Sequence, residues 1–245
     1  MVALDLLAPI LVGVSAALLA VTVTAGVVPS LRRGVGAALV LWFAALLTAG
    51  VGGAFSGARP LLVGVAAATP LIAAALATAL WPALRAGLDG VPLTSLIAVH
   101  AVRGFGAFFV LLYAGGRLSG PFGPVAGWGD VAAAATAPLI AWAAARGVPY
   151  WRGLVLGWNT LALTDLAVAV GLGVTSAPGS PLRLFEGAPG TALMGGLPWV
   201  LIPTFIVPLL TLTHVAVYRR MAAIPVPDPH AAPRATATLG ASTTR

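Results

Sequence analysis

The stretch LTSLIAVHAVRGFGAFFVLLYAG, from Leu93 to Gly115, is apolar along most of its length, with His100 and Arg103 near its middle. On a helix, a separation of three residues places both of these side chains on one face. An arginine at bilayer depth costs about 2.5–3.5 kcal/mol on insertion scales, and it is normally turned toward a partner or water. The stretch therefore predicts a membrane-crossing helix with a polar site that other helices enclose.

The composition of the whole chain also indicates a membrane protein. Of its 245 residues 60% are hydrophobic and only 8% are charged, whereas a soluble domain carries roughly 25% charged residues. The apolar runs are long and unbroken, unlike the alternating segments of about ten residues that form membrane β-barrels. We predict an all-α, polytopic helix bundle in contact with the lipid bilayer. Its richness in Ala, Gly and Arg indicates a bacterial protein, and hence the bacterial cytoplasmic membrane.

Seven apolar runs predict seven spans. These spans cover residues 5–28, 35–55, 61–84, 93–115, 130–146, 153–174 and 197–218. Asp130 is expected to be the N-cap of the fifth span, because the preceding segment 116–129 is too rich in Gly and Pro to be helical. Residues 221–245, in which Pro, Ala and Thr dominate, predict a disordered cytoplasmic tail.

Two further patterns concern orientation and shape. Cytoplasmic loops of membrane proteins are enriched in arginine, and an outside N-terminus gives seven loop arginines inside against three outside. The topology is therefore predicted to be N-out and C-in. Within the seventh span, Pro203 and Pro208 each remove a backbone hydrogen bond, which predicts an irregular helix that serves as a hinge.

The polar residues inside the spans predict a site. Asp165 is the only carboxylate well inside a predicted span and Arg103 the only guanidinium, so we expect them to pair between the fourth and sixth spans. Trp158, seven residues before Asp165, shares its face, while Asn159 is positioned to bond a neighbouring helix. We expect His100, Arg103, Trp158, Asn159 and Asp165 to bind a substrate or couple protons. The alternative is that the ion pair only fixes the register of the helices.

A second hypothesis concerns His100 and His214, which lie on different predicted helices and could be the axial ligands of a b-type haem. Apart from this alternative, no cofactor and no metal site are predicted, because the chain has no cysteine and its histidines lack zinc-site spacing. No serine is accompanied by a base, so no catalytic residue is assigned. Despite a net charge of +7, the arginines are scattered rather than clustered, which argues against a nucleic-acid partner.

Three segments resemble a group of bacterial multi-pass membrane proteins. These segments are HAVRGFG (100–106), WNTLALTD (158–165) and LPWVLIPTFIVPLLTLTHV (197–215). The resemblance covers roughly the C-terminal 150 residues, implies about seven helices, and transfers neither an activity nor catalytic residues.

These observations favour a permease for a small solute or for protons, built around a buried Arg/Asp centre. A haem-binding membrane protein and a structural or accessory membrane subunit are the alternatives, and the chain is not expected to be an enzyme. The partners expected are the lipid bilayer and a small-molecule substrate.

Overall fold

The computed structural model of the chain describes residues 2–57 and 59–224, and all regular secondary structure in these ranges is helical. Six segments in these ranges are long and apolar enough to cross a membrane: Leu4–Gly26, Pro29–Val51, Pro60–Leu80, Leu93–Ala114, Trp151–Thr175 and Ile202–Ala223. The prediction of an all-α, multi-pass membrane protein in contact with lipid is confirmed by these six apolar helices, whereas the seven spans and their orientation stay predictions. Residues 225–245, which make up most of the predicted tail, lie outside the described residues.

The N-terminal part contains three long helices and one short one. They are α1 (Val2–Gly26), α2 (Pro29–Val51), α3 (Pro60–Leu80) and α4 (Pro82–Leu88). Helices α2, α3 and α4 each begin with a proline, a residue favoured at the first helical position because the amide it lacks has no partner there anyway. This preference explains why α2 begins earlier, and α3 ends earlier, than predicted.

The fourth span is not one continuous α-helix. It consists of α5 (Leu93–Ala98), a 3₁₀ segment (Val99–Phe105) and α6 (Gly106–Ala114). In a 3₁₀ helix the residues i and i+3 eclipse each other. His100 and Arg103 therefore share one face, as predicted, although the helix type differs from the prediction.

Helix α7 extends from Phe122 to Arg146, which corrects the predicted fifth span of 130–146. Asp130 is an interior residue of α7 and not its N-cap. Two of the glycines that argued against a helix, Gly123 and Gly127, are contact points between α7 and the fourth span. A Cβ atom added to Gly127 would lie 2.9 Å from the carbonyl oxygen of Gly106, and one added to Gly123 would lie 2.7 Å from the Cβ of Tyr113. Small residues allow helix backbones to approach this closely.

Helix α8 (Trp151–Thr175) agrees with the predicted sixth span, and the last span joins a π-helical turn (Ile202–Ile206) to α9 (Val207–Ala223). The irregularity predicted for this span is confirmed. Because Pro208 has no amide proton, the Thr204 carbonyl four residues earlier lacks its helical donor. The indole Nε1 of Trp42 on α2 donates to this carbonyl at 3.3 Å. The last helix also includes residues 221–223, which were predicted to belong to the tail.

The helices differ in how deeply they are buried. No side chain of α3 is buried, and Leu46 is the only buried residue of α2. The fourth span and the last span, in contrast, have 56% of their apolar windows buried. The fourth span, α7, α8 and α9 therefore form the centre of the bundle, and the polar residues of the candidate site lie among them.

Candidate functional site

Arg103 lies at the centre of the bundle and is fully buried. Its Nε donates to Oδ1 of Asp130 on α7 at 2.6 Å, and its Nη1 donates to the Ala162 carbonyl on α8 at 2.9 Å. Its Nη2 donates to Oδ2 of Asp165, also on α8. The predicted contact between Arg103 and Asp165 is therefore present, and one guanidinium joins three helices. We refer to Arg103, Asp130 and Asp165 as the charge cluster.

Asp130 is the member of the charge cluster that sequence reasoning missed. Its side chain is only 4% exposed, against 21% for Asp165. Gly129, next to Asp130, leaves space for the carboxylate of Asp165, because a Cβ atom at position 129 would collide with it. Gly123, Gly127 and Asp130 stand at i, i+4 and i+7, which is one face of a helix. That spacing was the signal that a closely packed helix continues through the glycine-rich stretch.

The charge cluster contains one guanidinium and two carboxylates. When both carboxylates are ionised, it carries a formal net charge of −1. A buried charge without compensation is costly in a protein interior, and more so at bilayer depth. The cluster is therefore stabilised by any additional positive charge, whether a proton on a carboxylate or a cation bound beside it.

A second group of polar side chains lies one turn away from Arg103. His100 and His214 are both fully buried, and their ring centroids are 4.1 Å apart. The indole ring of Trp158 packs against both, with centroid distances of 5.3 Å to His100 and 5.9 Å to His214. We call His100 and His214 the histidine pair. Its contact with Trp158 means that α8, the fourth span and α9 meet here, whereas the fourth span, α7 and α8 meet at the charge cluster.

The hydrogen bonds of His100 define its tautomer. The hydroxyl of Thr213 donates to the Leu210 carbonyl at 2.7 Å, so its oxygen is left to accept a proton from His100. The Nε2 of His100 lies 3.0 Å from this oxygen and is therefore the protonated nitrogen. Its Nδ1 has no hydrogen-bond partner among the described residues, so in the neutral ring that atom carries a free lone pair.

The same reasoning applies to His214. The side-chain amide of Asn159 donates to the His214 carbonyl at 3.2 Å, which leaves its Oδ1 to accept from Nδ1 of His214 at 2.8 Å. The Nε2 of His214 is buried and has no partner in the described part of the chain. Asn159 thus bonds α8 to the last span, as its predicted role in helix contacts requires.

This geometry does not fit the haem hypothesis. An iron atom between two imidazoles needs a nitrogen at about 2 Å on each side. The nitrogens would then be about 4 Å apart and the ring centres farther apart still. The rings of the histidine pair are tilted by 36° at a centroid distance of only 4.1 Å, which leaves no space between them for a porphyrin. The alternative hypothesis that His100 and His214 are the axial ligands of a b-type haem therefore does not fit this arrangement.

The structure brings together all five residues of the predicted binding site. His100 and Arg103 are three residues apart on the 3₁₀ segment, a rise of about 6 Å. On α8, Trp158 and Asn159 face the histidine pair and Asp165 belongs to the charge cluster. The site therefore has two adjoining parts, one charged and one neutral.

The comparisons with known proteins give a family but no described activity. No curated protein and no solved structure matches the chain. A family model described as a domain of unknown function, DUF8737, matches residues 60–222. This range contains the charge cluster, the histidine pair and the three segments that carried the resemblance noted from the sequence. Since the match covers more than half of the chain, the protein belongs to the DUF8737 family.

Proposed function

We propose that the protein is a membrane permease that takes up and releases a proton at the charge cluster and moves a small solute in exchange. The observation that carries this proposal is the unequal charge count of one guanidinium against two carboxylates, one of them buried and the other partly buried. A purely structural ion pair is satisfied by equal numbers of opposite charges. A cluster with one carboxylate in excess favours an exchangeable cation, and ionisable residues inside membrane spans often belong to ion or proton pathways.

The residues of the site have separate roles in this proposal. Arg103 fixes the two carboxylates in place, and Asp165 exchanges the proton, since its side chain is the more exposed of the two. The neutral part, with Trp158, Asn159 and the histidine pair, is buried and holds α8 against the fourth span and α9. Pro203 and Pro208 make the last span the hinge, because the π-helical turn is the least regular part of that span.

We also propose that the chain crosses the bacterial cytoplasmic membrane seven times, with its N-terminus outside. Helix α7 is the crossing added to the six apolar spans: its 25 residues extend about 37 Å, and its interior carboxylate is paired with Arg103. Green fluorescent protein fused after Arg220 is expected to fluoresce, whereas alkaline phosphatase at the same position is expected to be inactive. An active phosphatase fusion would contradict this topology.

The proton step can be tested without knowing the solute. Proteoliposomes on a solid-supported membrane are subjected to a rapid pH jump, and the transient current reports charge that moves within the protein. We expect a current for the wild type, a loss of most of it in Asp165→Asn, and an unchanged current in Asp89→Asn. Asp89 is a suitable control because it pairs with Arg219, outside the charge cluster.

The structural role is the second candidate, and one observation favours it. All three nitrogens of the Arg103 guanidinium donate to α7 or α8, as expected of a group that only holds helices together. In that case folded wild-type protein would give no transient current, and the charge cluster would hold its protons permanently. That result would refute the permease.

A further inference from the structure

We infer that the solute is an amphipathic organic cation, such as a lipophilic amine or phosphonium, which binds in an apolar cavity beside Asp130. This inference rests on the proposed exchange at the charge cluster and names its substrate class. The cavity has a volume of about 530 Å³ and lies between α3 and the centre of the bundle. Small-molecule sites generally have volumes of about 300–1,000 Å³.

The walls of the cavity are suited to an apolar body. They include the rings of Phe109 and Phe122 and the side chains of Leu163, Leu166 and Val170. Most of the lining is hydrocarbon, and Thr191 and Thr211 are among its few polar residues. A ligand without a sizeable apolar part would leave most of this surface without a contact.

The charge in the cavity is what selects a cation. Asp130 contributes to the wall, and its Oδ1 accepts the hydrogen bond from Arg103. No described residue donates a hydrogen bond to the Oδ2 atom of Asp130, although Asp130 is only 3% exposed. The other charged residue of the lining, Arg59, is exposed and directly precedes α3. Asp130 lies about 12 Å along α7 from its first residue, so its carboxylate is the charged group in the buried part of the described lining.

The position of the cavity provides a route of entry and a link to the hinge. No side chain of α3 is buried, so one wall of the cavity is a peripheral helix, and a molecule dissolved in the bilayer reaches the cavity beside it. Pro203 and Pro208 of the last span also line the cavity. A bound cation therefore contacts the least regular part of the last span, while its charge replaces the proton that balances the charge cluster.

Tetraphenylphosphonium is a suitable probe, since it combines four phenyl groups with a permanent positive charge. We expect radiolabelled tetraphenylphosphonium to bind to the protein in nanodiscs, and neutral triphenylphosphine oxide not to compete. Asp130→Asn is expected to weaken binding at least tenfold, whereas Asp89→Asn should change it less than twofold.

A second pair of variants tests the cavity without altering the charge cluster. Ala67 lies on the α3 wall of the cavity, and Ala75 is exposed on the same helix outside it. Ala67→Trp should abolish binding of the probe, and Ala75→Trp should preserve it. Absence of binding in the wild type, or full binding in Ala67→Trp, would overturn the inference. So would a phospholipid that remains bound in native mass spectrometry, is lost in Ala67→Trp, and leaves no site for the probe.

A further measurement distinguishes failure of the cation site from failure of the proposed proton exchange. A pH-indicator dye reports whether binding of tetraphenylphosphonium releases a proton. Binding without proton release would leave the cation site intact and contradict the exchange. A transient current after a pH jump, without binding of the probe, would support proton uptake and overturn only this substrate class.

Discussion

Replacing Arg103 by methionine tests the role of the charge cluster in stability. Methionine matches the unbranched part of the arginine side chain but has no charge, so Arg103→Met leaves the buried Asp130 and the partly buried Asp165 without a cation. Three hydrogen bonds from the guanidinium are lost at the same time. Removal of one partner from a buried ion pair costs about 3–5 kcal/mol. At about 2–4 °C per kcal/mol for a chain of this size, the expected decrease in the unfolding temperature is about 6–20 °C.

The assay is thermal unfolding in detergent, followed by intrinsic tryptophan fluorescence. A companion variant carries Arg103→Met together with Asp130→Asn and Asp165→Asn, which removes all three charges while keeping the shape of both aspartates. It should regain at least half of the lost stability, because no uncompensated charge remains. The reasoning is refuted if Arg103→Met unfolds at the wild-type temperature, or if the neutral triple variant is no more stable than the single one.

Three further predictions follow from contacts around the site. Trp42→Phe removes the donor to the Thr204 carbonyl and should lower the free energy of unfolding by about 1–3 kcal/mol, measured by denaturant titration, whereas Trp81→Phe on the exposed surface should leave it unchanged. Gly127→Ala places a methyl group 2.9 Å from a carbonyl oxygen of the fourth span and should destabilise by about 1–3 kcal/mol. In the same titration Gly153→Ala, which meets nothing within 4 Å, should be neutral or stabilising by up to about 1 kcal/mol. Finally, the purified protein should show no Soret band with or without dithionite, and a band that disappears when the histidine pair is replaced by alanine would contradict the geometry described above.

The sequence predicted the residues of the site better than it predicted their contacts. Arg103 and Asp165 could be paired from the sequence because each is the only charge of its sign well inside a predicted span. Asp130 escaped this argument, since an aspartate after a glycine- and proline-rich stretch is typical of an N-cap. In a membrane helix the same glycines serve close packing, which is why α7 continues through Gly123 and Gly127.

The contacts of the histidines were even harder to predict from the sequence. The sequence places His100 and His214 on different helices, which is all that a hypothesis of axial haem ligands requires. It does not contain the distance between the rings, which depends on how the fourth span and α9 pack. Likewise, the two prolines of the last span predict an irregular helix, but the donation from Trp42 to the carbonyl left without a donor depends on tertiary structure alone.

A change of helix type in the 3₁₀ segment would alter the length of the fourth span and rotate its two ends against each other. A 3₁₀ helix rises about 2.0 Å per residue with three residues per turn, whereas an α-helix rises about 1.5 Å with 3.6. If the seven residues of this segment changed to α geometry, the span would shorten by about 3.5 Å, and its two ends would rotate against each other by about 140°. Arg103 lies within the 3₁₀ segment and donates hydrogen bonds to α7 and α8. These contacts oppose the rotation. Protonation of Asp130 and Asp165 would weaken these contacts, so a change of charge would lower the resistance of the fourth span to this change of helix type.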